Sequence, residues 1–219
     1  MNALKTLCIA LLSLGYATAA NAAGGTSSIV IDAQSGNVLY ADKAEELRYP
    51  ASLTKLMTLY ITFNALETGK LKFSDKLKVS STAASRSPSK LGMPAGSYID
   101  VKTAVEALIV KSANDCATVL AEALSPSEAE FAKLMTKTAR KLGMYRTTFK
   151  NASGLPNSAQ KTTAKDLAIL GAAVYHHFPQ YYHLFSLNEF HDIQNPQLSL
   201  KRFAGNGRNE NGLHRRFRI

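Results

Sequence analysis

The sequence predicts a mixed α/β protein of the α+β kind, and three observations carry that reading. Two short β-type runs flank a turn near the N-terminus, and five later segments have helical periodicity with their own start or stop signals. Few other strands are visible, so the helices dominate and the hairpin lacks further strands to pair with.

In chain order, Ser28-Ile29-Val30-Ile31-Asp32 and Val38-Leu39-Tyr40 surround Ala33-Gln34-Ser35-Gly36-Asn37, the pattern of a hairpin with a longer turn. A helix is expected from about Ala51 to Glu67, because Leu53, Leu56, Met57, Tyr60, Ile61 and Asn64 share one helical face and Gly69 ends it. Leu77-Lys78-Val79 reads as a short strand, and residues 80–99 as a long Ser-, Pro- and Gly-rich loop of the kind that is usually functional. Asp100 caps a helix through Lys111 that breaks at Ser112-Ala113-Asn114, and a second runs from Asp115 to Leu124. Ser125-Pro126-Ser127-Glu128 reads as a capping box with Pro at the first helical position, opening a helix that Gly143 closes. Thr163 caps a last helix, from about Ala164 to Phe178, stopped by Pro179.

At 219 residues, 46% hydrophobic, the chain can bury one sizeable core and is too apolar to be disordered. Of the formal charge of +10, half lies in residues 200–219, where Lys201, Arg202, Arg208, Arg215, Arg216 and Arg218 oppose only Glu210. The body is therefore mildly basic, and with no aromatic-interleaved binding motif a nucleic-acid partner is not expected.

The first 22 residues read as an export signal. Lys5 supplies the positive end, residues 7–14 the apolar stretch, and Ala20-x-Ala22 the cleavage site; a short membrane anchor or a buried first helix are the alternatives. Removal would leave Cys116 as the sole cysteine, a small buried hydrophobe in an apolar helical pattern, with no internal disulfide available. No metal or other cofactor is expected, since the histidines show no ligand spacing.

The chemistry begins at Ser52-Leu53-Thr54-Lys55. Residues three apart share a helix face, so the Lys55 amine can reach the Ser52 hydroxyl, and a serine needs such a base to become a nucleophile. A lysine titrating at about 10.4 must be brought down by roughly 3 pH units to act near neutrality, at a cost of about 4 kcal/mol, which burial beside Leu53, Leu56 and Met57 can supply. The helix N-terminus adds positive potential and free N–H groups where an oxyanion would form. Spacing alone is weak, because Ser87-Pro88-Ser89-Lys90 matches equally well, within the loop. Ser-x-Asn is weaker still, since Ser35-Gly36-Asn37 and Ser186-Leu187-Asn188 accompany Ser112-Ala113-Asn114. Only Ser112 and Asn114 sit at a break between helices, where they could line a cleft or merely cap helix ends.

Context adds specificity. Residues 31–40, Arg48-Tyr49-Pro50-Ala51-Ser52-Leu53-Thr54-Lys55-Leu56-Met57-Thr58, Val110-Lys111-Ser112-Ala113-Asn114-Asp115, Asn151-Ala152-Ser153-Gly154-Leu155-Pro156 and Thr163-Ala164-x-Asp166-Leu167-Ala168 together resemble the serine-type D-alanyl-D-alanine carboxypeptidases, the low-molecular-weight penicillin-binding proteins. The order holds over residues 27–187.

The resemblance implies the penicillin-binding-protein/β-lactamase-like transpeptidase fold. It also implies that Ser52 attacks the penultimate D-alanine of a peptidoglycan stem peptide ending in D-Ala-D-Ala, with Lys55 as base. Ser112 would relay a proton to the leaving amine, and Asn114 would hold Lys55 and the substrate amide. β-Lactams would acylate the same serine, in the periplasm or at the cell surface, with peripheral membrane association left open.

The family's third motif, Lys-Thr-Gly on a cleft-lining strand, does not occur in this chain, and Lys161-Thr162-Thr163 aligns elsewhere. The last sheet strands are therefore expected to be missing, and residues 23–187 to form an incomplete catalytic domain. Residues 188–219 read as an aberrant basic tail, a reading-frame shift or else a basic interaction arm. An incomplete sheet is expected to favour aggregation or proteolysis. A β-lactamase is a competing reading, disfavoured by Ala113 and the lack of a visible deacylating Glu; a noncatalytic peptidoglycan-binding remnant is another. Endopeptidase activity on muropeptides is a variant of the first reading.

Overall fold

The computed structural model describes residues 25–187. The export signal (1–22) and the basic tail (188–219) expected from the sequence lie outside the described residues.

β1 (Ser28–Ile31) and β2 (Val38–Asp42) pair antiparallel, Ser28 opposite Asp42 and Ile29 opposite Ala41, with the register shifting between Val30 and Ile31. Asp32 closes the turn: its Oδ1 accepts from Ser35 N–H and Ser35 Oγ, both at 2.7 Å, and these bonds hold its carboxyl below the usual range. Ile29 packs with Ala44, Ala164 and Ala168, seating the hairpin on the helix that Thr163 opens. Every residue of β2 is exposed.

The helix expected from Ala51 begins differently. Ala51–Leu53 is a 3₁₀ turn, entered with Ala51 at φ +47°, and the α-helix α1 runs from Thr54 to Glu67. Ser52 thus lies on the tight entry turn and Lys55 on the helix proper. α1 is buried on most of its circumference, through Thr54, Lys55, Met57, Thr58, Leu59, Ile61, Thr62, Phe63 and Ala65. The hydroxyls of Thr58 and Thr62 are satisfied by Ala152 O at 2.7 Å and Thr58 O at 2.8 Å. Such a helix is the centre of a domain, not its rim.

Residues 80–99 are more ordered than a loop. Ser80 Oγ accepts from Ala83 N–H and opens a single-turn helix, α2 (Ser81–Ala84). β3 (Lys76–Lys78) pairs antiparallel with β4 (Tyr98–Asp100), Leu77 opposite Ile99. These strands form a sheet of their own, so among the described residues the hairpin remains two-stranded. The short strand spans Lys76–Lys78, with Val79 just past it; its partner Tyr98–Asp100 was hidden at the end of a Gly-rich stretch.

α3 (Val101–Lys111) is capped by Asp100, which accepts from Thr103 N–H at 2.8 Å. α4 spans Asn114–Leu124, one residue earlier than expected. The capping box needs correction: Ser127, not Ser125, caps α5 (Glu128–Lys141), accepting from Glu130 N–H at 3.2 Å. Pro126 therefore precedes the helix, and Ser125 ends α4. Two serines near one proline made the register ambiguous; both have extended backbone, and the bond from Glu130 N–H to Ser127 Oγ identifies the cap.

Thr163 caps α6 (Ala164–His177) as expected. Past Pro179 the chain turns helical again in α7 (Pro179–Tyr182) and a 3₁₀ turn (His183–Ser186), since Pro can start a helix as well as stop one. Phe63 stacks on Tyr181 with ring centroids 5.0 Å apart, tying this segment to α1.

α4, α5 and α6 all pack on α1, and Met57, Phe63, Leu120, Phe131, Met135, Phe149 and Leu170 are wholly or almost wholly buried among them. Burial of each such side chain is worth about 2–3 kcal/mol. Cys116 is fully buried, and burial pushes its thiol well up, so it packs as the small hydrophobe expected. No described helix is long and apolar enough to cross a membrane.

Candidate active site

Ser52 is exposed on the entry turn, whereas Lys55, one turn on, is only 4% exposed. The Lys55 Nζ donates to Ser52 Oγ at 3.4 Å and to the main-chain oxygen of Ser153 at 2.6 Å. Burial pushes the Lys55 amine down to about 8. An alcohol open to solvent and a buried amine with a usable neutral fraction therefore meet at the start of α1, where the sequence placed them.

The loop 151–155 backs this pair. Asn151 Oδ1 accepts from Gly154 N–H at 2.7 Å and Ser153 N–H at 3.2 Å, folding the loop tightly. Ala152 O then receives Thr58 Oγ1, and Ser153 O receives Lys55. Gly154, at φ +89°, lies so close to Ala51 that a Cβ would stand 1.8 Å from Ala51 O. Sequence reasoning noted Asn151–Pro156 only as a matching stretch. Ser153 contributes a backbone oxygen, which no side-chain pattern reveals, and the one legible signal was a glycine inside an otherwise specific string.

At the break between α3 and α4, Ser112 is half-buried with left-handed backbone, φ +55° and ψ +39°. Asn114 is buried; its Nδ2 donates to Ser87 O at 2.9 Å and its N–H to Ser89 O at 2.7 Å. Asp115, fully buried, accepts from Leu91 N–H at 3.1 Å and Gly92 N–H at 2.9 Å. The break thus clamps residues 87–92. Among the described residues no hydrogen bond joins Ser112 or Asn114 to Ser52 or Lys55. One Nδ2 hydrogen is committed to Ser87 O, and because the Lys55 ammonium only donates, any contact from Lys55 to the Asn114 side chain must use Oδ1.

The competing motifs are placed apart from such chemistry. In Ser87-Pro88-Ser89-Lys90, Lys90 Nζ donates to Ala84 O at 3.0 Å, while Ser87 serves Asn114 through its carbonyl. Ser35-Gly36-Asn37 forms the hairpin turn, and Ser186-Leu187-Asn188 runs past the described residues. Lys161 and Thr162 bridge to Thr148 and Arg48, the Lys161 ammonium lies 3.3 Å from the centre of the Tyr49 ring, and Thr163 caps α6. Two open hollows, of 520 Å³ beside Lys43 and Lys165 and of 720 Å³ beside Lys78 and Glu122, are lined by neither Ser52 nor Lys55.

Comparison with known proteins agrees with this geometry. The D-alanyl-D-alanine carboxypeptidase family, peptidase S11, matches residues 16–213, extending beyond Leu187 into the basic segment. D-alanyl-D-alanine carboxypeptidase DacF of Bacillus subtilis is 39% identical over 144 residues, covering 66% of this chain and 37% of its own. The crystal structure of the carboxypeptidase DacD from Francisella tularensis superposes with a TM-score of 0.71 at 34% identity, covering 73% of this chain and 38% of that one. Penicillin-binding protein D2 from Listeria monocytogenes, in its ampicillin-bound form, gives a TM-score of 0.62 at 29% identity, covering 74% and 65%. The chain spans less than half the length of the curated relatives it matches. With the fold shared, the family matched along most of the sequence and a hydroxyl–amine pair on the entry to its central helix, this chain belongs to the D-alanyl-D-alanine carboxypeptidase family.

Proposed function

We propose that this chain is a serine-type D-Ala-D-Ala carboxypeptidase that trims the terminal D-alanine from peptidoglycan stem peptides. The observation that carries the reading is the buried Lys55, titrating at about 8, with its Nζ 3.4 Å from the exposed Ser52 Oγ. Neutral Lys55 takes the Ser52 proton as Oγ attacks the carbonyl carbon of the penultimate D-alanine. The tetrahedral intermediate collapses with cleavage of the C–N bond, and the departing amine takes up a proton passed from Lys55 through Ser112. Water then hydrolyses the ester on Ser52. Asn114 holds Lys55 and orients the substrate amide, with one Nδ2 hydrogen kept on Ser87 O.

Residues 1–22 serve as an export signal in this reading, residues 23–187 carry the catalytic domain, and the site of action is the periplasm or cell surface. β-Lactams, which mimic the D-Ala-D-Ala end, acylate Ser52.

The test is incubation of the chain, freed of residues 1–22, with a fluorescent penicillin, followed by peptide mapping. A stable adduct on Ser52 that Ser52→Ala abolishes supports the reading. Rapid release of the label would favour a β-lactamase, and no adduct a noncatalytic peptidoglycan-binding protein.

A further inference from the structure

The Ser153 oxygen holds Lys55 only if the loop 151–155 is itself held. Asn151 shapes the loop internally and its N–H donates to Gln160 Oε1 at 3.3 Å, while Ala152, whose side chain is fully buried, ties the loop to two helices. Ala152 O ties to Thr58 on α1. Ala152 N–H donates at 3.0 Å to Glu128 Oε1, at the first turn of α5. The other carboxylate oxygen of Glu128 pairs with the Arg86 guanidinium, and Arg86 Nε donates to Thr118 Oγ1 on α4 at 2.9 Å. The Glu128 side chain is 13% exposed, so these bonds are formed largely out of water.

We propose that Glu128 is a positioning residue for the candidate base: through the peptide units of Ala152 and Ser153 it fixes the carbonyl oxygen that orients Lys55 toward Ser52. The proposal rests on the reading of Lys55 as the base. A role confined to helix capping does not account for the geometry, since one carboxylate oxygen is aimed at Ala152 N–H and not at α5. Without that acceptor, Ala152 N–H and the loop turn to water, Ser153 O drifts from Nζ, and solvent reaches the amine. The partners that the structure gives Lys55 are Ser52 Oγ and Ser153 O, neither of them charged, so hydration is what then returns the amine toward its ordinary range.

The experiment compares the unaltered protein with Glu128→Ala, Glu128→Gln and Glu128→Asp. Two quantities are read: the pH dependence of Lys55 acetylation by trace acetic anhydride, followed by mass spectrometry, and the rate of acylation by fluorescent penicillin. Gln keeps an acceptor in place for Ala152 N–H, whereas Asp keeps the charge but withdraws its oxygens by one methylene. Glu128→Ala and Glu128→Asp are expected to move the Lys55 inflection up by about one pH unit and to slow acylation at pH 7 about tenfold. Glu128→Gln is expected to stay within about twofold. An unchanged Lys55 inflection in Glu128→Asp overturns the proposal, as does a Glu128→Gln variant as impaired as Glu128→Asp; both remain readable if Glu128→Ala does not fold. If the unaltered protein takes up no penicillin, the proposed function fails, while the Lys55 titration still decides the role of Glu128.

Discussion

Gly154 rests directly on Ala51: a methyl group at Gly154 would stand 1.8 Å from Ala51 O and 3.1 Å from Ser52 N. Both residues have left-handed backbone, φ +89° and +47°, so neither can relax without moving the other. Backbone contact at this distance sets where the Ser52 turn lies relative to the rest of the fold. Gly154→Ala is therefore expected to destabilise the protein by about 2 kcal/mol or more and to cut penicillin acylation at least tenfold. Urea unfolding and labelling kinetics check the two effects, and a variant with normal stability and rate would show that the turn is not held by this contact.

Lys55 supplies a pH signature. Its amine titrates at about 8 when folded and near the ordinary 10.5 when unfolded, so the unfolded chain binds more protons between those values. Stability should consequently rise as pH increases from about 8 to 10.5 through this group, and acylation should rise through about 8 and then level off. Lys55→Met removes the cost of burying an ammonium. It is expected to be more stable than the unaltered protein at pH 7 by about 1 kcal/mol while taking up no label. Thermal melts at pH 7 alongside a pH series of acylation rates test both halves.

Asp115 pins the helix break to the strand-side loop. Its carboxylate accepts from Leu91, Gly92 and Cys116 N–H groups, and no part of it reaches solvent. Asp115→Ala leaves those donors buried and unpaired, and a loss of about 3 kcal/mol is expected. Amide hydrogen exchange at Leu91 and Gly92 should accelerate at the same time. Unchanged protection there would mean that the loop is fixed by Asn114 and Ser89 alone.

The helices were legible because their signals are local. Asp100 and Thr163 cap where the sequence placed them, and Gly69 and Gly143 follow helix ends at positive φ. The Ser52–Lys55 pair was legible for the same reason, being a single helical turn. The register at Ser125 and Ser127 was not, since two serines equally suited to capping stood two residues apart and only the bond from Glu130 N–H to Ser127 Oγ tells them apart. Nor was the strand Tyr98–Asp100, three residues long, which is recognised only by the partner it pairs with. The loop carrying Ser153 escaped because its contribution is a main-chain oxygen made useful by contacts 98 residues apart. Asn114 was found by motif, but its commitment to Ser87 O is a fact of tertiary structure.

The hairpin has a consequence of its own. β2 keeps Val38, Leu39 and Tyr40 at 58%, 66% and 55% exposure, and among the described residues it has a neighbour on one side only. Among the described residues, its outer margin is a row of amide donors and carbonyl acceptors without a strand beside it, backed by apolar side chains: a template on which a further strand can pair. The Ser52–Lys55 pair is anchored in the helical body, through α1 and the Ser153 oxygen, so the open edge of the hairpin and the candidate site are held by different contacts and can fail independently.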